Sequence, residues 1–555
     1  DSALDQVLAH PTVASKNFLV TIADRSVGGL TARDQMVGPW QTPVSNVSVI
    51  LKDFKSYSGF ALALGERPPV AILDVPSSVR LSFGELFTNI LAAPIESLSD
   101  VTLCANWMAA CSIESEEGAL YQAVDALRKI CLEFGVAIPV GKDSLSMTSK
   151  YGQHGKDIIS PVTLNLSGVA KVNDAREVWT PQLERDVVDS VLVFIDLSGG
   201  QSRLGASIHA ICQQSFNDDP PDLDSLTLIK SFHKALKEVR EFERNLLKKF
   251  DSYVEFFEKK LIYAYHDRSD GGLITTLCEM AFAGRVGINV NLDLLTIDSV
   301  ASDWGDFKIR TEQVGFRRNE LTLRALFNEE LGVVIQTSKS SRKELLSIFR
   351  DCGLGKYVYE IGTLNNRDEI NIFRDAKCIL KKPRSLLQKA WFGVSKDIAF
   401  LRDNSEIVET EEKSFSSIKS PEKIINCSFY EINSDVGAGK SKTSPEPKIE
   451  KKVSSAKPKV AVLRNQGTNG QVEMAAAFSH VGFEVWDVHM TDILDSKVSL
   501  TEFDGLAISG GFSYGDVLGA GKGWAKSILF NEFLKCQFKN FFSDKTKFVL
   551  GVCNG

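Results

Sequence analysis

Gly551-Val552-Cys553-Asn554-Gly555 sets a cysteine between two glycines directly after the strand-like run Lys547 to Val552. α/β enzymes hold a nucleophile clear of their sheet on such a sharp corner at the end of a strand. Upstream, Gly510-Gly511-Phe512-Ser513-Tyr514-Gly515-Asp516 follows another strand-like run, Gly505 to Ser509. The carboxyl ends of strands in an open parallel sheet share one edge, so the glycine-rich loop and the thiol are expected to meet there. Working outward, the unit starts sharply at Lys459-Val460-Ala461-Val462-Leu463. A helix (Gln471 to Gly482), strands (Glu484 to His489, Gly505 to Ser509), a helix (Trp524 to Leu534) and the last strand follow. This order predicts a doubly wound parallel sheet over residues 458–555, cut off after the cysteine.

Acyl transfer needs a thiolate to attack and preorganised N–H donors aimed at the oxyanion. Cys553 is read as the nucleophile, and the backbone of Gly511, Phe512 and Asn554 as the oxyanion hole. A nucleophile also needs a base within hydrogen-bond reach. That histidine and its orienting carboxylate are expected beyond Gly555 or on another molecule. At the other end the first residue is Asp1 rather than Met, and residues 1–15 read as the end of a helix already under way. The remaining N- and C-terminal parts of one longer polypeptide are therefore expected partners.

At 555 residues the chain is too long for a single core. Its formal charge of −7 is small, and no Lys/Arg stripe interleaved with aromatics appears, so nucleic acid is not an expected partner. No apolar run approaches the roughly 20 residues of a bilayer span, and residues 1–20 lack a signal-peptide pattern, so a cytoplasmic protein with no membrane partner is expected. The ten cysteines contain no CxxC pair. Cys104, Cys131 and Cys278 sit in apolar surroundings, where a reduced thiol acts as a small hydrophobe.

Two heptads repeat almost letter for letter, Asp24-Arg25-Ser26-Val27-Gly28-Gly29-Leu30 and Asp267-Arg268-Ser269-Asp270-Gly271-Gly272-Leu273. Paired glycines after a strand admit positive φ and bring N–H groups close to an anion, although a plain strand-to-helix turn uses the same residues. Residues 16–170 read as one α/β unit, with strands at Val44 to Leu51 and Pro69 to Asp74 and helices at Phe83 to Leu91 and Ala119 to Phe134. Residues 171–401 read as a second unit, within which Leu223 to Lys260 forms surface helices without chemistry of their own. Residues 402–457 turn polar and read as a linker, at least partly disordered.

Glu85 and Asn89 stand one turn apart on the first unit's helix, a spacing that serves a hard cation or a solvated face alike. Gly141-Lys142-Asp143-Ser144 follows the strand Val136 to Val140. Lys142 and Ser144 there, with Arg25 and Arg33, suit a substrate phosphate or an ordinary turn and ion pair equally. His266 beside Asp267 is read as a packed, hydrogen-bonded histidine.

The motifs Gly510 to Asp516, Gly519-Ala520-Gly521, Gly523-Trp524-Ala525-Lys526-Ser527 and Gly551 to Gly555 resemble the class I glutamine amidotransferase domain of the large formylglycinamide ribonucleotide amidotransferase (phosphoribosylformylglycinamidine synthase) family. The likeness extends through Thr31 to Trp40, Gly65-Glu66-Arg67, Gly141 to Ser144, Tyr265 to Gly272 and Phe327 to Gly332. It implies a multidomain α/β and α+β fold. An aminoimidazole-ribonucleotide-synthetase-like pair of subdomains, the second copy of a tandem duplication, precedes a truncated flavodoxin-like glutaminase sheet. It also implies a ligase of purine biosynthesis that uses ATP, glutamine and formylglycinamide ribonucleotide, with ammonia passing from the glutaminase to the synthetase. Similar enzymes hold Mg²⁺ at positions matching Asn46, Glu85, Asn89 and Asp267, beside a nucleotide approached by Lys16, Ser45 and Ser269. The family usually carries Asp where Asn46 stands, so weakened metal binding is expected in this half. The alternatives are a non-catalytic nucleotide-binding scaffold, and a glutaminase fused to a different ATP-dependent ammonia acceptor.

Overall fold

The computed structural model describes residues 2–26, 28–151, 155–187, 189–216, 219–250, 253–297, 311–419 and 457–555. The chain forms two compact units, residues 1–25 with 30–422 and residues 26–29 with 423–555.

The first unit contains two mixed sheets. Strands β1 (Thr31–Arg33), β2 (Ser48–Leu51), β3 (Gly59–Glu66), β4 (Thr102–Met108), β5 (Ala137–Ser144) and β8 (Thr163–Val172) form six strands in the order β1-β2-β3-β8-β4-β5. The hairpin β6 (Thr148–Tyr151) and β7 (Lys156–Ile159) stands apart. Strands β9 (Ser190–Asp196), β10 (Ala264–Arg268), β11 (Gly287–Asn291), β12 (Gly332–Ser338), β13 (Val358–Asn365), β14 (Glu369–Arg374) and β15 (Lys377–Pro383) form the second sheet, in the order β10-β12-β9-β13-β11-β14-β15. Strand β9 is buried throughout. Its Val191, Val193 and Ile195 face a core shared with the first sheet, and its Leu192 and Phe194 face a second core built with the helices Gly272–Gly284 and Arg384–Arg402. A strand covered on both faces reads as a continuous apolar run, which is what Val191 to Ile195 is.

Helix Val75–Ile90 lies on the first sheet. Asp74 caps it by accepting from the Ser77 N–H at 2.8 Å, and Pro76 occupies its first turn. Gly65 admits the close approach, since a Cβ there would stand 2.0 Å from the Ser82 carbonyl oxygen. The helices Leu226–Leu247 and Tyr253–Lys259 occupy the stretch read as surface helices. The first packs Ile229, Phe232, Leu236 and Val239 into the shared core.

Four expectations change in the first unit. Pro68–Ile72 is a 3₁₀ turn rather than a strand, because Pro68 and Pro69 have no N–H for a ladder. Gly141 to Ser144 continue strand β5 in parallel pairing with β4 instead of following its end. The first heptad is not a strand-to-helix turn: it follows the short helix Asn17–Val20 and precedes β1, with Val27 outside the described residues. The polar stretch from 402 is folded as far as 419. Helix Ser405–Ser414, capped by Asn404, buries Val408 and ties Glu412 to Lys396 at 2.9 Å. The rest of that stretch, 420–456, lies outside the described residues.

The second unit is an all-parallel sheet of β16 (Lys459–Arg464), β17 (Glu484–His489), β18 (Gly505–Ile508) and β19 (Phe548–Gly551), in the order β17-β16-β18-β19. Buried side chains fill both faces, Leu463, Leu506, Trp524 and Phe538 on one and Val460, Val462 and Ala507 on the other. The helix placed at Trp524 to Leu534 is two helices, Lys522–Leu529 and Glu532–Ser543, with Asn531 capping the second. No described helix is long and apolar enough to cross a membrane.

Candidate active site and nucleotide cleft

In the second unit the loop after β18 and the corner after β19 lie side by side, because the Val552 N–H donates to the Ile508 carbonyl at 3.1 Å. Cys553 is exposed and holds φ at 54°, in the left-handed region that a non-glycine residue rarely adopts. The Gly555 N–H closes the corner on the Val552 carbonyl at 2.9 Å. A Cβ on Gly510 would stand 2.9 Å from both the Cys553 Cβ and the Val552 carbonyl oxygen, so only glycine lets the thiol sit against the loop. Among the described residues the one hydrogen-bond contact of Cys553 Sγ is Asn554 Oδ1, at 4.0 Å.

Of the three oxyanion donors expected, the structure corrects one. The Phe512 N–H is already donated to the Gly467 carbonyl at 2.8 Å, in the bridge that ties the glycine-rich loop to residues 467–469. The N–H groups of Gly511 and Asn554 donate to no acceptor among the described residues and remain available. Sequence reasoning missed Asp516, which accepts from the Asn554 side-chain amide at 2.6 Å. Its place in the motif was visible, but the partner was not.

In the first unit, helix Val75–Ile90 carries Glu85 and Asn89, β10 carries Asp267, and the loop before β2 carries Asn46. A cavity of about 250 Å³ gathers Asn46, Asn89, Asp267, Lys16, Ser45 and Ser269. A neighbouring one of about 550 Å³ adds Glu85 and Glu66. Asn46 Nδ2 donates to Asn89 Oδ1 and to Asp267 Oδ1, both at 2.7 Å. Its Oδ1 faces His266 Nδ1 at 3.0 Å, and His266 Nε2 meets Glu279 Oε2 at 2.8 Å. Glu279 Oε1 in turn accepts from the Trp391 indole at 3.1 Å. Glu85 Oε2 accepts the Glu66 N–H at 2.8 Å. Burial raises the carboxyls of Glu85 and Asp267 above their ordinary range.

As they stand, these residues do not fit a divalent cation. Asn46 turns its amide nitrogen, a donor, toward both Asn89 Oδ1 and Asp267 Oδ1. Among the described residues no group of three His, Cys, Asp or Glu side chains is set to hold a metal. Asp267 Oδ2 is nonetheless buried without a partner, so the cluster leaves one acceptor unsatisfied.

The other expected residues divide. Lys16 lines the cavity, but its ammonium donates to the carbonyls of Pro11, Thr12 and Ala14 at 2.7, 3.0 and 2.5 Å. Ser45 Oγ donates to the Val47 carbonyl at 2.9 Å, and the Ser269 carbonyl accepts the Gly272 N–H at 3.0 Å. Arg25 pairs with Asp34 at 2.6 Å, while Lys142 Nζ donates to Ser144 Oγ at 2.9 Å on the edge strand β5. None of Arg25, Lys142 and Ser144 lines either cavity. Sequence reasoning also missed Arg67, buried between Asp270 and Glu329 and bonded to both. Its motif Gly65-Glu66-Arg67 was legible, but its two partners lie more than two hundred residues away.

Comparison with known proteins gives three consecutive matches. Residues 15–171 match the FGAR-AT PurM_N-like domain, residues 197–375 the C-terminal domain of AIR synthase related proteins, and residues 457–555 the CobB/CobQ-like glutamine amidotransferase domain. Among solved structures, PurL of T. maritima complexed with ATP is 13% identical with a TM-score of 0.42, over 62% of this chain and 46% of that one. PurL complexed with FGAR is 11% identical with a TM-score of 0.43, over 70% and 53%. The hydrogenase maturation protein HypE is 14% identical with a TM-score of 0.35, over 58% and 88%. The chain spans about half the length of the PurL structures it matches. Fold and domain content define a two-subdomain synthetase followed by a glutamine amidotransferase domain. The matched domain content is of the formylglycinamide ribonucleotide amidotransferase type, with synthetase and glutamine amidotransferase parts.

Proposed function

We propose that the chain supplies the glutaminase and one synthetase half of a cytoplasmic ATP- and glutamine-dependent carbon–nitrogen ligase. This enzyme converts formylglycinamide ribonucleotide to formylglycinamidine ribonucleotide in de novo purine biosynthesis. The observation that carries the reading is Cys553 on a left-handed corner, flanked by the uncommitted N–H groups of Gly511 and Asn554. The thiolate attacks the side-chain carbonyl carbon of glutamine, and the two N–H groups take the oxyanion. The C–N bond breaks, the nitrogen leaves with a proton as ammonia, and water hydrolyses the thioester to glutamate and the free thiol. ATP phosphorylates the glycinamide carbonyl oxygen of formylglycinamide ribonucleotide, ammonia adds at that carbon and displaces the phosphate, and an amidine forms with the formyl group intact. Arg25, Lys142 and Ser144 are proposed only as outer contacts to the ribonucleotide, away from the 46–89–267 cluster.

For the synthetase half, one observation favours a second reading, a nucleotide site that serves structure rather than turnover. The Asn46 amide nitrogen donates to Asn89 and Asp267, where the family's aspartate would offer an oxygen. Asn46, Asn89 and Asp267 would hold Mg²⁺ only with the Asn46 amide oxygen in place of its nitrogen. A different ammonia acceptor is disfavoured by the FGAR-AT-type match over residues 15–171.

The test is labelling of the complete enzyme with a glutamine-mimicking alkylator and mapping of the modified peptide. Label on Cys553, loss of glutamine-dependent activity and retention of ammonia-dependent activity are expected. Inactivation with Cys553 unmodified would refute the proposal.

A further inference from the structure

Three consecutive residues beside the thiol, Tyr514, Gly515 and Asp516, stand in the left-handed region with φ of 53°, 62° and 56°. Two of them are not glycine, and such a run persists only when surrounding bonds over-determine it. The Tyr514 N–H donates to the Gln466 carbonyl at 3.1 Å, and its hydroxyl accepts from Asn465 Nδ2 at 2.9 Å. The Gly515 N–H donates to the Phe512 carbonyl at 2.8 Å, and the Asp516 carbonyl accepts from the Gly519 N–H at 2.8 Å. Among the described residues the one side-chain hydrogen bond of Asp516 leaves the turn for the nucleophile corner: its Oδ1 accepts from Asn554 Nδ2 at 2.6 Å. Gly521 closes the other side of that corner, since a Cβ there would stand 2.7 Å from the Asn554 carbonyl oxygen.

We infer that Asp516 is a positioning residue for glutamine cleavage: its carboxylate fixes Asn554 so that the Asn554 backbone N–H faces the oxyanion formed on the carbonyl under attack. The inference rests on Cys553 being the nucleophile. A charge-assisted bond to an amide is short and directional, so it anchors the residue after the thiol more firmly than a neutral acceptor would. The left-handed turn aims the carboxylate across the strand gap, from the loop after β18 to the corner after β19. Orientation of a donor matters only where charge develops, so the effect belongs to acylation and not to the intrinsic reactivity of the thiol.

That distinction supplies the experiment, done on the complete enzyme with Asp516→Ala, Asp516→Asn and Cys553→Ala. Attack on glutamine builds an oxyanion, whereas alkylation of the thiol by iodoacetamide is a displacement at a saturated carbon and builds none. Asp516→Ala is expected to lower kcat for glutamine on the order of 10- to 100-fold with KM little changed. The iodoacetamide rate at Cys553 should stay that of the parent. Asp516→Asn retains an acceptor oxygen and should fall in between, which also covers the case in which the alanine variant folds poorly. The inference is overturned if Asp516→Ala and Asp516→Asn turn over glutamine like the parent, or if alkylation slows in step with glutaminase activity, which is the signature of a displaced loop. Glutamine turnover surviving Cys553→Ala would remove the nucleophile and this inference together, a pattern distinct from the other two.

Discussion

Asn46 can donate where an aspartate cannot, and this changes what its two neighbours require. With an amide, Asn89 Oδ1 and Asp267 Oδ1 each receive a hydrogen bond; with a carboxylate, three sets of oxygens converge in a buried pocket and need a cation. Asn46→Asp is therefore expected to lower stability by about 1–3 kcal/mol without divalent metal, through lost hydrogen bonds and like-charge contact. Added Mg²⁺ should restore it. Thermal melts of parent and variant across a Mg²⁺ titration check this, and a variant whose melting ignores both the substitution and the metal would contradict it. His266 makes a second prediction. Both ring nitrogens face acceptors. Burial opposes the imidazolium, but the Glu279 bond and charge with Asp267 outweigh it, so His266 is raised above its ordinary 6.5. A raised folded value means stability present in full below pH 6.5 and lost as pH climbs through that higher value. Urea midpoints across neutral pH should show this decline in the parent and a flatter profile in Glu279→Gln; equal slopes would count against it. At this scale the sequence made the left-handed corner at Cys553 legible, because glycines on both sides of a cysteine at a strand end admit few other geometries. It misled at Phe512, whose N–H is consumed by Gly467, a pairing with no local signal.

Helix Leu226–Leu247, read as having no chemistry of its own, holds the end of helix Val75–Ile90, which carries the candidate residues Glu85 and Asn89. Arg240, buried on helix Leu226–Leu247, donates from Nη2 to the carbonyls of Leu91 and Ala92 at 2.9 and 3.0 Å, and its guanidinium lies 3.7 Å over the Trp179 ring. It thus satisfies carbonyls at the C-terminal end of the helix that carries Glu85 and Asn89. Burial lowers its pKa to about 9. Arg240→Met keeps much of the volume and removes both bonds, at an expected cost of about 2–4 kcal/mol and with weaker nucleotide binding as the helix end loosens. Calorimetric titration with ADP beside a urea melt tests both. A destabilised variant with unaltered nucleotide affinity would confine Arg240 to folding. Sequence periodicity revealed the helix Leu226–Leu247 and its apolar stripe, but not that an arginine on the stripe caps a helix some 150 residues earlier. The same limit explains Gly141 to Ser144. A glycine in a strand resembles a turn until its partner is known, and here β4 carries the pairing through.

Across the whole of the first unit, the two subdomains are joined by apolar packing and by a few buried polar bonds. The Tyr265 hydroxyl donates to the Thr88 carbonyl, Arg80 pairs with Asp222 at 2.6 Å, and Arg67 reaches both Asp270 and Glu329. Arg67 is the most consequential, because its side chain is 4% exposed and Glu329 only 1%, whereas Asp270 keeps 23%. Glu329 also accepts the N–H groups of Ile208 and Gly271 at 2.9 and 2.6 Å, so this cluster positions the second heptad as well. The paired heptads made that turn legible, yet not the arginine beneath it, since a buried ion pair is written in no local spacing. Burial already raises the Glu329 carboxyl to about 7, and removing Arg67 takes away the cation that favours its charged form, so Glu329 must take up a proton or stay unpaired, while water can reach Asp270. Arg67→Met should therefore cost about 3–5 kcal/mol, and Arg67→Met with Glu329→Gln should recover much of that, because the glutamine keeps an acceptor for both N–H groups and no longer carries charge. Urea denaturation of parent, single and double variants near pH 7 measures the difference. If the double variant is no more stable than the single, the loss comes from packing around the arginine stem and the charge argument is wrong.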